Sequence, residues 1–216
     1  MVVTKIERQK RRPQRVNIFV DGAFALGVHI DVLREHGLRK GDELKSKTLI
    51  ALKSAEELQL AKQQALRFIG YRFRSEKELR AKLRDNQFHP EIIDNTISCL
   101  RDYGMVDDTR FACSFVKDTL MKKPAGRIFL QGQLRSKGIA TETIQEVLDD
   151  LVPAGDEDML ALDAATKLMK RYRASRKEID PDKQQARISG FLARRGFKWS
   201  TVHSVLRKLF NQTLDD

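Results

Sequence analysis

The side chains of this chain that could do chemistry are few, and their spacing assembles no catalytic constellation. The four histidines, His29, His36, His89 and His203, are scattered. No H-E-x-x-H pattern sets two of them on one helix face, and no cysteine accompanies them, so no metal is expected. Cys99 and Cys113 each fall in an apolar helical pattern, Ile97-Cys99-Leu100 and Phe111-Cys113-Phe115. Two lone thiols build neither a zinc site nor a disulfide framework, and buried, reduced cysteines are expected. Asp107-Asp108 could serve acid/base work or a metal. The pair stands just before a helix, however, where carboxylates accept from first-turn amides and favour the dipole. Ser75 stands three residues before Glu78 as a capping box and has no base beside it. His89 precedes Pro90 at a helix start, and His203 lies in the last helix, on the surface or half-buried. Neither a Walker A loop nor G-x-G-x-x-G occurs. The expectation is a protein that is not an enzyme and has no cofactor. Turnover of nucleotide or nucleic acid by the purified chain would overturn it.

Binding chemistry is better represented. The 216 residues carry 41 Lys+Arg against 30 Asp+Glu, a net charge of +11 and a sequence pI near 9.8. Such an excess suits a polyanionic partner: nucleic acid, an anionic membrane face or an acidic protein surface. The charge is also polarised. Residues 141–163 hold eight acids and no Lys or Arg, whereas residues 167–208 hold thirteen bases and three acids. A partner carrying both signs, a protein or nucleoprotein, fits this better than bare DNA. The opposing reading is solvated faces that pair with each other, each pair weakly.

Residues 1–15 read as a mobile basic arm, with Lys5, Arg8, Lys10, Arg11, Arg12 and Arg15 against Glu7. A β-hairpin module follows over 16–45. Val16, Ile18 and Val20 alternate, Asp21-Gly22 suits a type I′ turn, and Phe24, Leu26 and Val28 alternate again. From there on the periodicity is helical. No signal-peptide core and no run of ~18 apolar residues appears, so a cytoplasmic protein is expected.

An internal repeat organises the helical part. Leu79, Leu130 and Ile188 align, as do Leu83, Leu134 and Leu192, and Phe88, Ile139 and Phe197. Ile93, Ile144 and Val202 follow, then Ile97, Leu148 and Leu206, then Leu100, Leu151 and Leu209, at offsets of 51 and 58 residues. The loop position before the second helix of each match is Gln87, Gly138 or Gly196, and the glycines suit a left-handed helix C-cap. The predicted fold is mainly α: three tandem three-helix repeats in an elongated curved array, behind the β-containing module. The predicted segments are a linker helix with the first repeat over 46–104, the second repeat over 105–155 and the third over 156–216. Asp180-Pro181 reads as an N-cap followed by a first helical proline. Tyr103 and Trp199 are expected as partly buried anchors.

Basic side chains off the apolar register are the candidate contacts. Arg84, Arg135 with Lys137, and Arg194 with Arg195 fall at the same helix end of the three repeats. Arg72, Arg74, Lys122, Lys123, Arg127, Lys170, Arg171 and Arg173 extend the set. The competing explanation is that each cation merely complements a helix C-terminus, worth ~0.3–1 kcal/mol.

The runs ALRFIGYRFRSEKELRAKLRDNQF, GMVDDTRFACSFV and KPAGRIFLQGQLRSKGI, with RVNIFVDGAFALGV and GLRKGDEL before them, strongly resemble the RecX family of regulators of the RecA recombinase. The resemblance covers about Val16 to Leu209 and is most specific over about 65–140. It implies tandem three-helix repeats and binding in the helical groove of the RecA filament on single-stranded DNA. It also implies reduced RecA ATPase, strand exchange and coprotease activity, and a place in DNA repair, recombination and the SOS response. Single-stranded DNA would be bound weakly or through the filament, by a monomer. The chain departs from the family at Gln133, where an acidic residue is usual, which puts a contact there in doubt. A basic DNA- or RNA-binding module acting without RecA, or a scaffold for another protein, are the alternatives.

Overall fold

The computed structural model describes residues 1–174 and 180–210. They fall into two units, Met1–Val106 and the residues from Asp107 onward.

The first unit opens with a three-stranded antiparallel sheet in the order β1 (Val3–Gln9), β2 (Arg12–Val20), β3 (Ala23–His29). The β2–β3 hairpin has the predicted turn, since Asp21 and Gly22 both take positive φ (+48° and +83°), as a type I′ turn requires. The predicted arm over 1–15 is corrected: it forms β1 and the start of β2. Val3 pairs with Val20, Ile6 with Ile18 and Arg8 with Val16. A register shift between Val3 and Lys5 hid this strand from the sequence. Val3 and Ile6, three apart, lack the two-residue period of an ideal strand, and the irregularity lets both join one core. The bases Lys5 and Arg8 stay exposed on an edge strand, which discourages further pairing.

A short α1 (Ile30–Glu35) leads to the 26-residue α2 (Ser46–Tyr71). One helix serves two cores. Leu49, Leu52 and Ala55 pack with Val16, Ile18 and Val28 of the sheet. Leu58, Ala61, Ala65, Phe68 and Ile69 pack with α3 (Glu76–Asp85) and α4 (Pro90–Asp102), completing the first repeat.

The second unit holds the other two repeats. These are α5 (Asp108–Lys122), α6 (Arg127–Ser136) and α7 (Thr141–Leu151), then α8 (Ala154–Ala174), α9 (Pro181–Arg194) and α10 (Trp199–Phe210). The aligned apolar positions fill the three repeat cores. Leu79, Leu130 and Ile188 are fully buried, as are Leu83, Leu134 and Leu192. Phe88, Leu151 and Leu209, at the margins, are half-buried. Gly138 and Gly196 take the left-handed conformation, and Gln87, a side-chain-bearing residue, takes it at the same place in the first repeat (φ +63°). Parts of the predicted third repeat, 175–179 and 211–216, lie outside the described residues.

Capping follows the sequence in part. Ser75 Oγ accepts from the Glu78 amide at 3.3 Å, and the Asp107 carboxylate accepts from the Arg110 amide at 2.9 Å. Asp180 is the N-cap of α9 with Pro181 next, but its side chain makes no capping bond. Cys99 and Cys113 are free thiols and only half-buried. Tyr103 and Trp199 are not buried anchors: they are 73% and 61% exposed, each standing at a helix end outside the aligned core positions, and Trp199 meets the His203 ring edge-on.

Candidate partner-binding surface

In the first unit, Arg72 and Arg74 flank the link from α2 to α3 and are drawn into it. Arg72 pairs with Glu78 at 3.1 Å and donates to the Phe73 carbonyl. Arg74 is half-buried with its guanidinium 3.8 Å from the centre of the Phe68 ring, and its Nε donates to the Phe68 carbonyl. Burial, and then the nearby Arg72, lower its pKa, against the pull of Glu78. These two arginines hold a helix junction. Arg84, in the last turn of α3, is exposed and its guanidinium meets no hydrogen-bond or ion-pair partner among the described residues.

In the second unit, Arg127 is also spent inside the fold. Its Nη1 donates to the Leu148 and Val152 carbonyls at 2.7 and 2.6 Å, the open C-terminal end of α7, and its Nη2 reaches Asp149. That bond, with a second from Gln145, holds the Asp149 carboxyl below its ordinary value. Arg195 is the C-cap of α9 and lies over the Phe191 ring. Lys137 is the half-buried C-cap of α6. Arg135 and Arg194, in the last turns of α6 and α9, are exposed, as are Lys122, Lys123, Lys170, Arg171 and Arg173 at the ends of α5 and α8.

Composition and periodicity miss how the second and third repeats join. The first amides of α6 find acceptors in the third repeat: Gly126 N–H donates to the Arg195 carbonyl at 2.8 Å, Arg127 N–H to Glu157 Oε1 at 3.0 Å and Ile128 N–H to the Gly196 carbonyl at 3.2 Å. A Cβ on Gly126 would lie 2.2 Å from the Gly196 carbonyl oxygen, and one on Gly196 would lie 2.3 Å from the Phe129 nitrogen. Both glycines are thus required by close approach, and Gly196 by its conformation as well (φ +73°). Glu157 is 1% exposed, yet no cation pairs with it among the described residues. It sits in the first turn of α8 and against the first turn of α6, so two positive helix ends stabilise its charge. One signal was available. At an offset of 51, Gly126 replaces the capping Ser75, which marks an α6 that does not cap itself.

The first unit contains a second buried glutamate. Glu56, in the middle of α2, accepts from the His29 amide at 2.5 Å and pairs with Arg15 at 2.6 Å. Far from a helix end, this carboxylate has a guanidinium as its partner.

Fold and surface together define a protein of tandem three-helix repeats with a β-sheet module in front and unpaired basic residues at helix ends. Family comparison gives this class a name. The model of the regulatory protein RecX N-terminal domain matches residues 1–45, and those of the first, second and third RecX three-helix domains match 61–100, 107–148 and 158–206. The chain belongs to the RecX family of regulatory proteins. It is 32% identical to the regulatory protein RecX of Clostridium acetobutylicum over 97% of each chain. It is 32% identical to that of Bacillus subtilis over 99% of this chain and 79% of the relative. A crystal structure of regulatory protein RecX superposes with a TM-score of 0.76 at 29% identity, covering 94% of this chain and 98% of the other. The crystal structure of RecX from Lactobacillus salivarius, at 23% identity and a TM-score of 0.61, shares the fold over 72% of this chain and 97% of the other. No helix among the described residues is long and apolar enough to cross a membrane.

Proposed function

We propose that the protein regulates RecA by binding the RecA–single-stranded DNA filament in its helical groove, without chemistry of its own, as a cytoplasmic monomer. Stabilising one state of the filament shifts its population, which lowers ATPase, strand exchange and coprotease activity together. Membership of a family named for regulation supports the reading. The observation that carries it is the set of exposed, unpaired arginines at the C-terminal ends of the middle helices, Arg84, Arg135 and Arg194. Lys122, Lys123, Lys170, Arg171 and Arg173 extend this set, whereas Arg72, Arg74 and Arg127 act inside the fold.

The test is single-strand-dependent RecA ATPase with and without the protein, across salt. Inhibition is expected at protein levels well below those of DNA sites, and reversing Arg84, Arg135 and Arg194 to Glu should weaken it about tenfold or more. Normal inhibition by the folded triple variant removes these arginines as contacts. An effect that disappears with salt in parallel with bare-DNA binding points to a nucleic-acid module acting without RecA.

A further inference from the structure

The N-terminal module and α2 enclose an open pocket of about 490 Å³ in the first unit. Its polar lining consists of Arg12, Gln14, Arg15, His29, Gln63, Gln64 and Arg67. On α2, Gln63, Gln64 and Arg67 sit at helical spacing above the buried Glu56, on one face. Glu56 neutralises Arg15, whose other nitrogen donates to the Gly27 carbonyl. Arg12 and Arg67 remain exposed, with no ion pair among the described residues.

His29 is only 6% exposed, and its Nε2 is buried with no hydrogen-bond partner. A buried, unpaired ring nitrogen is costly unless something else satisfies it. Its Nδ1 is 3.3 Å from the Asp31 amide nitrogen, which donates to it, and 3.2 Å from Asp31 Oδ2. If Nδ1 accepts from the amide, the proton of the neutral ring is on Nε2; in the imidazolium both nitrogens carry one. In both of these states Nε2 is a donor without an acceptor, and when Nδ1–H donates to Asp31 Oδ2 instead Nε2 is an acceptor without a donor, so the ring nitrogen is unsatisfied throughout. The two unpaired guanidinium groups, the His29 ring and the amides of Gln14, Gln63 and Gln64 thus line one space, with no carboxylate in its lining.

We propose that this pocket binds a phosphate group. Guanidinium forks recognise a phosphate's oxygens in pairs, and a tetrahedral oxyanion can accept from several donors at once. The volume exceeds that of a lone oxyanion and admits a nucleotide-sized group. The site is independent of the RecA reading, since it lies in the β module and α2.

The experiment uses the full chain labelled with ¹⁵N, following the imidazole signals while inorganic phosphate, thymidine monophosphate and a 15-nucleotide oligo(dT) are added at constant ionic strength. The His29 signals should move with phosphate-bearing probes and not with chloride, while those of His36, His89 and His203 stay in place and report an intact fold. The variants Arg12→Gln and Arg67→Gln should each weaken binding about tenfold. Tighter binding of oligo(dT) than of free phosphate identifies a polynucleotide as the source, and equal affinity identifies free phosphate; either supports the site. Unmoved His29 signals with all three probes, an equal response to chloride, or unchanged affinity in both variants overturns it.

Discussion

Glu76 and Arg127 occupy the same position of successive repeats, the first residue of the middle helix, and they carry opposite charges. In the first repeat Glu76 pairs with Arg80 and reaches the last turn of α4 at Arg101. Arg80 continues to Asp94 of α4, and these two carboxylates raise its pKa. In the second repeat Arg127 likewise reaches the last turn of the following helix, but it grips the carbonyls of α7 and Asp149. The bridge is retained with its sign reversed. A cation at a helix N-terminus opposes the dipole, and Glu157 of the third repeat supplies the missing negative charge. The first repeat caps its middle helix with its own Ser75; the second takes acceptors from Glu157, Arg195 and Gly196. Identical apolar patterns thus support one self-sufficient repeat and one that depends on its neighbour.

The contrast can be broken most sharply at Gly126. Its replacement by Ala drives a Cβ into the Gly196 backbone and should cost about 3 kcal/mol in chemical denaturation. Gly132→Ala, six residues on inside α6 and with nothing within 4 Å, should instead stabilise by about 1 kcal/mol. Equal effects would remove the claim of close approach. Next in size, Arg127→Ala should cost about 2 kcal/mol, the scale of hydrogen bonds from a charged donor, because two helix-end carbonyls lose it. Ser75→Ala should cost about 1 kcal/mol, the usual loss of an N-cap. A cost above that of Arg127→Ala would invert the comparison. Smallest is the pH effect at Asp149. Its folded pKa lies below the ordinary 3.8, so its contribution is complete above that value and is lost as pH falls through the folded pKa. Asp149→Asn should therefore lower neutral stability slightly, with the difference from the parent vanishing as pH falls below 3.8.

The repeats were legible because burial imposes a period: a position such as Leu79, Leu130 or Ile188, fully buried in all three copies, tolerates only large apolar side chains. The hairpin was legible because Asp-Gly at a two-residue turn is a local signal. Strand β1 was not, since its register shift breaks the alternation on which the reading depends. Glu56 and Glu157 were also invisible. An acid in a charged helix looks solvated until tertiary structure sets a guanidinium or two helix ends around it. Of the thirteen candidate basic residues, position on a helix end was readable, but commitment was not. Arg74 and Arg135 look alike in sequence, yet one lies on Phe68 and the other is in solvent.

The borrowed cap of α6 also bears on the order in which the chain is made. Gly196 follows Gly126 by 70 residues, so a ribosome adding about 5–20 residues per second makes Gly126 roughly 4–14 s before the Gly196 carbonyl exists. During that interval the first unit can close around its own Ser75, while α6 presents bare amides at its start. Translation therefore divides the molecule in time, with an early-closing front and a rear pair of repeats that must wait for one another.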